Sequence, residues 1–119
     1  GFIKNLPTTL IEAFKSTLEE ASDADLLLHI IDISNTNKSE QILQVERILE
    51  EIGANNVQQI LVLNQIDKIK LNAGYDRDEY GRIKRVQLSA IKGDGIEFLK
   101  KAIVERSLSY INERNGDYA

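Results

Sequence analysis

Apolar residues fall along this chain in two rhythms. Leu26-Leu27-Leu28-His29-Ile30-Ile31 and Ile60-Leu61-Val62-Leu63 are short continuous runs, and Val86-Gln87-Leu88-Ser89 is a weaker third. Runs of this length predict strands covered on both faces of a sheet. Elsewhere the apolar positions recur every third or fourth residue. Pro7 precedes a capping box, Thr9-Leu10-Ile11-Glu12, and Leu10, Ile11, Phe14, Leu18 and Ala21 then predict a helix from Thr9 to Glu20. Asn37 with Glu40 opens a second helix, whose stripe of Ile42, Val45, Ile48, Leu49 and Ile52 stops at Gly53. Asp94 with Glu97 caps a last one carrying Ile96, Leu99, Ile103 and Tyr110.

The order is helix, strand, helix, strand, loop, strand, helix. Alternation of buried strands with amphipathic helices predicts a three-layer α/β fold with a parallel sheet and helices on both faces. Asn72 to Gly81, with its glycines and the mixed charges of Asp76, Arg77, Asp78 and Glu79, reads as a solvated loop without chemistry. Residues 1–111 form the folded unit, and 112–119 form a polar tail. In such sheets ligands bind beyond the carboxyl ends of the strands. Functional residues are therefore sought at and after Asp32, Asn64 and Ser89.

Composition narrows the function. The chain has 119 residues, 42% of them hydrophobic and 29% charged, which suits one compact domain able to bury its own core. Fifteen basic residues against 19 acidic ones leave a net charge of −4, the wrong sign for a domain built to neutralise DNA phosphate. No cysteine is present, which removes disulfides, thiolate metal sites and a cysteine nucleophile and fits a reducing, cytoplasmic setting. The most apolar stretch, Ala24 to Ile31, contains Asp25 and His29 and is far short of a membrane span. Gly1-Phe2-Ile3-Lys4 is not a signal peptide, and the missing initiator Met is expected of a piece of something longer.

Two of the three strand ends carry polar clusters, Asn64-Gln65-Ile66-Asp67 and Ser89-Ala90-Ile91-Lys92. The carboxylate of Asp67 can accept two hydrogen bonds at once, from the ring N–H and the exocyclic amine on one edge of guanine. Adenine lacks that paired edge, so a site built on it rejects the wrong base by leaving polar groups unpaired. The Asn64 carboxamide can bond the base and tie neighbouring loops together. The Ala90 N–H is free to donate to the guanine oxygen, and Ser89 holds its own loop.

Asn64-Gln65-Ile66-Asp67 resembles the Asn-Lys-x-Asp guanine motif of the GTPase superfamily, and Ser89-Ala90-Ile91 resembles its Ser-Ala-x base loop. Gly1-Phe2-Ile3-Lys4-Asn5-Leu6-Pro7 is similar to the segment that begins with the Gly of Asp-x-x-Gly in bacterial HflX-type GTPases, and Leu26 to Asp32 is similar to that family's next strand. The resemblance spans Gly1 to about Ser107. It implies the C-terminal half of a P-loop GTPase (G) domain that binds GTP or GDP with Mg²⁺, in a protein that acts on the large ribosomal subunit. It further implies that Asn64, Gln65, Asp67, Ser89, Ala90 and Ile91 surround the guanine base, and that Gly1 offers its N–H to the γ-phosphate only when upstream chain is present. No Gly-x-x-x-x-Gly-Lys-Ser/Thr loop occurs; Gly93 and Gly95 precede a helix without that pattern. Catalytic and metal-binding residues are therefore expected outside this chain. Gln65 replaces the usual Lys and so lacks its charge near the sugar ring.

Each residue also has a plainer reading. Asn64 and Asp67 alone describe a cap and turn after a strand, and Ser89 with Lys92 describes a turn. His29 inside an apolar strand reads as a hydrogen-bonded core histidine. Asp32 is read as a solvated strand terminus, with a contributor near the nucleotide as its alternative; in the runner-up reading, a non-catalytic receiver-type signalling module of flavodoxin-like build, it is the phosphoacceptor. Lys4, Lys15, Lys68, Lys70, Arg82, Lys84 and Arg85 read as a solvated face or as a patch for ribosomal RNA. A ribosome-binding scaffold without nucleotide binding is a third reading, for which Gln65 is the only hint.

Overall fold

The computed structural model describes residues 23–114. The elements in chain order are β1 (Leu26–Asp32), α1 (Lys38–Glu51), β2 (Gln58–Asn64), a 3-10 turn (Ile66–Lys68), β3 (Gly74–Arg77), β4 (Ile83–Gln87) and α2 (Ile96–Arg114). The expected helix over Thr9 to Glu20 and the residue Gly1 lie outside the described residues.

The sheet has four strands in the order β1-β2-β4-β3. β1 runs parallel to β2 in a register that pairs Leu26 with Gln58 and Asp32 with Asn64. β2 runs parallel to β4, with Leu63 opposite Gln87. The carboxyl ends of three parallel strands therefore line up along one edge, and the polar clusters follow directly from them.

Alternation along β2 divides the core in two. Ile60 and Val62 join Ile83, Val86, Leu88 and Ala102 on one face, with Ile96, Phe98 and Leu99 of α2 packed against them. Leu63 joins Ile31, Ile33 and Ile66 on the other face, with Ile42 of α1 alongside. One helix covers each face, giving the three layers that the alternation predicts. Ile60, Val62, Ile83 and Val86 are buried almost completely, and each such side chain contributes roughly 1.5–3 kcal/mol through loss of apolar surface to water.

α1 ends as its sequence requires. Gly53 sits at φ +76°, its N–H reaches Glu50 O, and the Ala54 N–H reaches Leu49 O at 2.7 Å. This paired closure satisfies the last carbonyls of the helix and buries Ala54 against Leu49. At the other end Asn37 stands at the cap position without a side-chain capping bond.

Four expectations are corrected. The segment expected to be a loop contains β3, which pairs antiparallel with β4, so the sheet is mostly rather than wholly parallel. Side-chain contacts hold this strand: Asp76 pairs with Arg85 of β4 at 2.6 Å, while on α2 Glu105 pairs with Arg77 at 2.9 Å and the Phe98 ring lies tilted against Tyr75 with centroids 5.3 Å apart. Second, β4 starts at Ile83 and ends at Gln87, earlier than the Val86 to Ser89 run; Ile83 and Val86, three residues apart, both fill the core because the pairing with β3 shifts register between Asp76 and Arg77. Third, β1 is not covered on both faces by the described residues, since Ile30 is 60% exposed. Fourth, α2 continues through Arg114, past the expected start of the tail at Asn112.

Candidate functional site

The site is assembled at the carboxyl ends of β2 and β4. Asn64 is the last residue of β2, and its carbonyl accepts the N–H of Ile33 at 2.9 Å, which holds the end of β1 beside it. The chain then turns sharply: Gln65 adopts φ 72°, ψ 35°, a left-handed conformation that few residues other than glycine tolerate. The turn is held from both sides. Asn64 Oδ1 accepts the Gln65 N–H at 2.8 Å, and Ile66, 2% exposed, plugs into the core while its N–H donates to Leu88 O at 3.2 Å. With Ile66 anchored inward, Asp67 projects outward in the 3-10 turn.

The second loop starts where Leu88 N donates to Leu63 O at 2.9 Å. Ser89, fully buried, donates its N–H to Asp94 O at 2.9 Å and accepts the N–H of Gly93 on its carbonyl at 2.8 Å. Its hydroxyl accepts the Lys92 N–H at 3.2 Å and donates to Asp67 Oδ1 at 2.8 Å. Ser89 thus holds its own loop, as the sequence implied, and also fixes the carboxylate of Asp67. The Ala90 N–H, expected to be free, donates instead to Asn64 Oδ1 at 3.0 Å. A carboxamide oxygen with two lone pairs takes both main-chain donors, Gln65 and Ala90.

Five of the candidates, Asn64, Gln65, Asp67, Ser89 and Ala90, are therefore joined by direct hydrogen bonds or neighbouring backbone. Ile91 stands apart from them in one respect: its side chain is 87% exposed at the rim.

Asp32 is a neighbour of this cluster with its own partners. Ser34 donates to Asp32 Oδ1 from its N–H at 2.9 Å and its hydroxyl at 2.6 Å, and Lys68 Nζ lies 3.5 Å from Oδ2. The Ser34 hydroxyl bond holds the Asp32 carboxyl below its usual range, with Lys68 adding to the effect. His29 is partly buried, and burial lowers its pKa while Glu46 pulls the other way; no hydrogen-bond partner for its ring is found among the described residues. Of the scattered cations, Lys68, Arg82 and Arg85 pair with Asp32, Asp78 and Asp76, so local carboxylates already answer them. Lys4 and Lys15 lie outside the described residues.

Among the described residues no three carboxylate or imidazole groups converge on one point. No helix among the described residues is long and apolar enough to cross a membrane.

Two features of the site were not legible in the sequence. Gln65 in a left-handed turn carries no glycine to announce it, and the bond between Asn64 and Ala90 crosses 26 residues.

A four-stranded, mostly parallel sheet with a helix on each face and two polar loops at its carboxyl edge has the architecture of a segment of a GTPase G domain. No protein-family model matches the chain. Curated relatives do. The chain is 45% identical over 107 residues to GTPase HflX of Escherichia coli (strain K12), which covers 89% of the chain and 25% of that protein. It is 44% identical over 109 residues to GTPase HflX of Caldanaerobacter subterraneus subsp. tengcongensis, covering 91% of the chain and 24% of that protein. With GTPase HflX of Flavobacterium psychrophilum it shares 47% identity over 70 residues, 59% of the chain and 17% of that protein. Over this segment the chain belongs to the HflX family. It spans about a quarter of the length of the first of these relatives.

Proposed function

We propose that this chain is the guanine-recognition half of an HflX-type GTP-binding domain, assigned to residues 1–111 with the end of α2 and the tail leading away. The observation that carries the reading is the joining of the two loops, Asn64 to Ala90 at 3.0 Å and Asp67 to Ser89 at 2.8 Å. A cap-and-turn role for either loop alone does not require that they be bonded to each other.

In this reading Asp67, fixed on one side by Ser89, accepts the ring N–H and exocyclic amine of guanine. Asn64 keeps its Nδ2 donor for the base while its Oδ1 holds the loops. The Ala90 N–H exchanges Asn64 Oδ1 for the guanine oxygen, and Gln65 and Ile91 lie against the faces and rim of the base. The site discriminates because adenine would leave the Asp67 carboxylate without donors.

Hydrolysis of GTP belongs to the longer protein. Phosphoryl transfer depends on positioning and charge stabilisation around the phosphates, and this chain holds no Gly-x-x-x-x-Gly-Lys-Ser/Thr loop to provide them. Gly1 would donate to the γ-phosphate only with upstream chain in place, and Mg²⁺ would be held by residues outside this segment. Following the family resemblance, the longer protein acts in the cytoplasm on the large ribosomal subunit, and co-sedimentation of that protein with purified large subunits tests this.

The deciding experiment is an amide NMR titration of the chain with GDP and separately with ADP at millimolar concentration, where binding without phosphate contacts is expected to fall. Shifts at Asn64, Asp67 and Ala90 with GDP alone are the expected result. Equal responses to the two nucleotides, persisting in an upstream-extended chain, overturn the reading. A hydrolysis rate from this chain above background that disappears in Asp67→Ala overturns the assignment of catalysis elsewhere.

A further inference from the structure

We infer that Gly95 is a positioning residue for base recognition: the absence of a side chain there sets the spacing between the Asn64–Asp67 loop and the Ser89–Ala90 loop. The inference rests on the guanine-site reading above and adds a residue that no motif in that reading contains.

Gly95 is buried at the start of α2, with φ +86°, and its carbonyl accepts the N–H groups of Phe98 and Leu99 at 3.0 and 3.3 Å. It therefore fixes the first turn of the helix. A Cβ at this position would lie 2.9 Å from Gln87 O, 2.9 Å from Leu88 Cβ and 3.0 Å from Ala73 Cβ. Real Cβ atoms do not approach this closely. None of the three obstacles can swing aside, since one is a main-chain carbonyl oxygen and the other two are Cβ atoms fixed directly to the backbone.

The obstacle at Leu88 connects to the site. Leu88 donates its N–H to Leu63 O at 2.9 Å and accepts the Ile66 N–H on its carbonyl at 3.2 Å. Leu63 and Ile66 bracket Asn64 and Gln65 in sequence, and Ser89 follows Leu88 directly. A displacement of Leu88 is thus delivered at once to both loops. The bonds between Asn64 and Ala90 and between Asp67 and Ser89 hold only while those loops keep their present separation, because each is close to its optimal length. Ala73, the third obstacle, packs against the Ile31, Ile33, Leu63 and Ile66 cluster, so the same contact reaches the anchor of the Asp67 turn from a second side.

Strain from φ and steric displacement can be separated within the same loop. Gly93 has φ +81° but no atom within 4 Å of a would-be Cβ. Gly93→Ala carries the backbone strain of Gly95→Ala without the collision.

The test uses the full chain and its Gly93→Ala, Gly95→Ala and Ala73→Val variants. Each is read by thermal melting, by amide exchange at Ala90 and Lys92, and by titration with GDP and ADP. Ala73→Val presses the same contact without a strained φ and carries the test if Gly95→Ala does not fold. Loss of the Asp67 and Ala90 contacts is expected to weaken GDP binding about tenfold or more in Gly95→Ala. Ala73→Val should show a smaller loss in the same direction, and Gly93→Ala should remain within about threefold of the parent chain. Faster exchange at Ala90 and Lys92 than at β1 should accompany the first two. Equal GDP affinity and unchanged Ala90 exchange in a folded Gly95→Ala, or in Ala73→Val when Gly95→Ala is unfolded, overturn the inference. So does equal weakening by Gly93→Ala. A parent chain with no preference for GDP over ADP overturns the guanine reading itself; faster Ala90 exchange in Gly95→Ala then shows that the geometric coupling stands apart from it.

Discussion

The main-chain N–H of Ala90 donates to Asn64 Oδ1 at 3.0 Å, and the same oxygen accepts the N–H of Gln65 at 2.8 Å. One carboxamide oxygen therefore supports a left-handed turn and ties it to a loop on the next strand. The opposite end of that side chain is an amide donor, which a carboxylate lacks.

That division of labour separates two substitutions. Asn64→Asp keeps an acceptor for both main-chain donors but removes Nδ2, so stability should stay within about 1 kcal/mol of the parent while preference for GDP is lost. Asn64→Ala removes the acceptor as well. Ala90 is exposed and water can replace part of the bond, so the cost is expected at the lower end, about 1–2 kcal/mol. Urea denaturation beside nucleotide titration distinguishes them, and equal destabilisation by the two variants would count against the tie.

The β3–β4 hairpin is fastened to α2 by a two-pronged pair. Arg77 Nη1 and Nη2 donate to Glu105 Oε1 and Oε2 at 2.9 and 3.2 Å. The Arg77 bond, ahead of opposing desolvation, holds the Glu105 carboxyl below its usual range. A depressed folded pKa means that the contribution is complete above the unfolded value of 4.5 and is lost as pH falls through the folded one. Both partners are over a third exposed, so solvent keeps the effect small. Stability of the parent should decline below about pH 4.5 more steeply than that of Glu105→Gln, as read by denaturation at stepped pH; parallel curves would show that the pair contributes nothing measurable.

His29 gives a pH dependence in a different window. Burial lowers its pKa from 6.5, against a smaller opposing pull from Glu46. Between the folded value and 6.5 the unfolded chain binds a proton that the folded chain does not, so stability is expected to fall as pH drops below 6.5 and to level off once the folded imidazole is protonated. His29→Leu should flatten the curve below pH 6.5. A His29→Leu curve with the parent's slope would place the titration elsewhere.

The sequence was most readable where burial and local chemistry agree. Ile60 to Leu63 could only be a covered strand, and the stripe closed by Gly53 could only be a helix that stops there. Gly74 to Arg77 gave no such signal: its four residues hold one aromatic side chain, and its strand character comes from Arg85, Phe98 and Glu105, which lie far along the chain. Within the site proposed for guanine the residue types stood out because a carboxylate suits the paired donors on one edge of that base. Their mutual bonds did not, because hydrogen bonds between loops depend on a register that only the folded sheet supplies. Ile30 misled for a related reason: an apolar residue in an edge strand looks the same in sequence as one in a covered strand.

Arg106 sets charge against geometry at a buried cation. The residue is 7% exposed, and its Nη1 and Nη2 donate to Gln58 Oε1, Gln59 O and Ile83 O at 3.0, 3.4 and 3.0 Å, joining α2 to the amino ends of β2 and β4. All three acceptors are neutral, Nε is buried without a partner, and burial pushes the guanidinium below its ordinary value. Burial of a charge without a carboxylate is costly, whereas losing the forked donors strands carbonyl oxygens. Arg106→Met trades one loss against the other and is expected to cost about 1–3 kcal/mol. Arg106→Lys retains the charge but presents a compact ammonium that cannot span three acceptors, so it should cost more, about 2–4 kcal/mol. The order measured by urea denaturation decides which effect wins: if the Lys variant is the more stable, the positive charge itself, and not the fork, holds this corner of the sheet together.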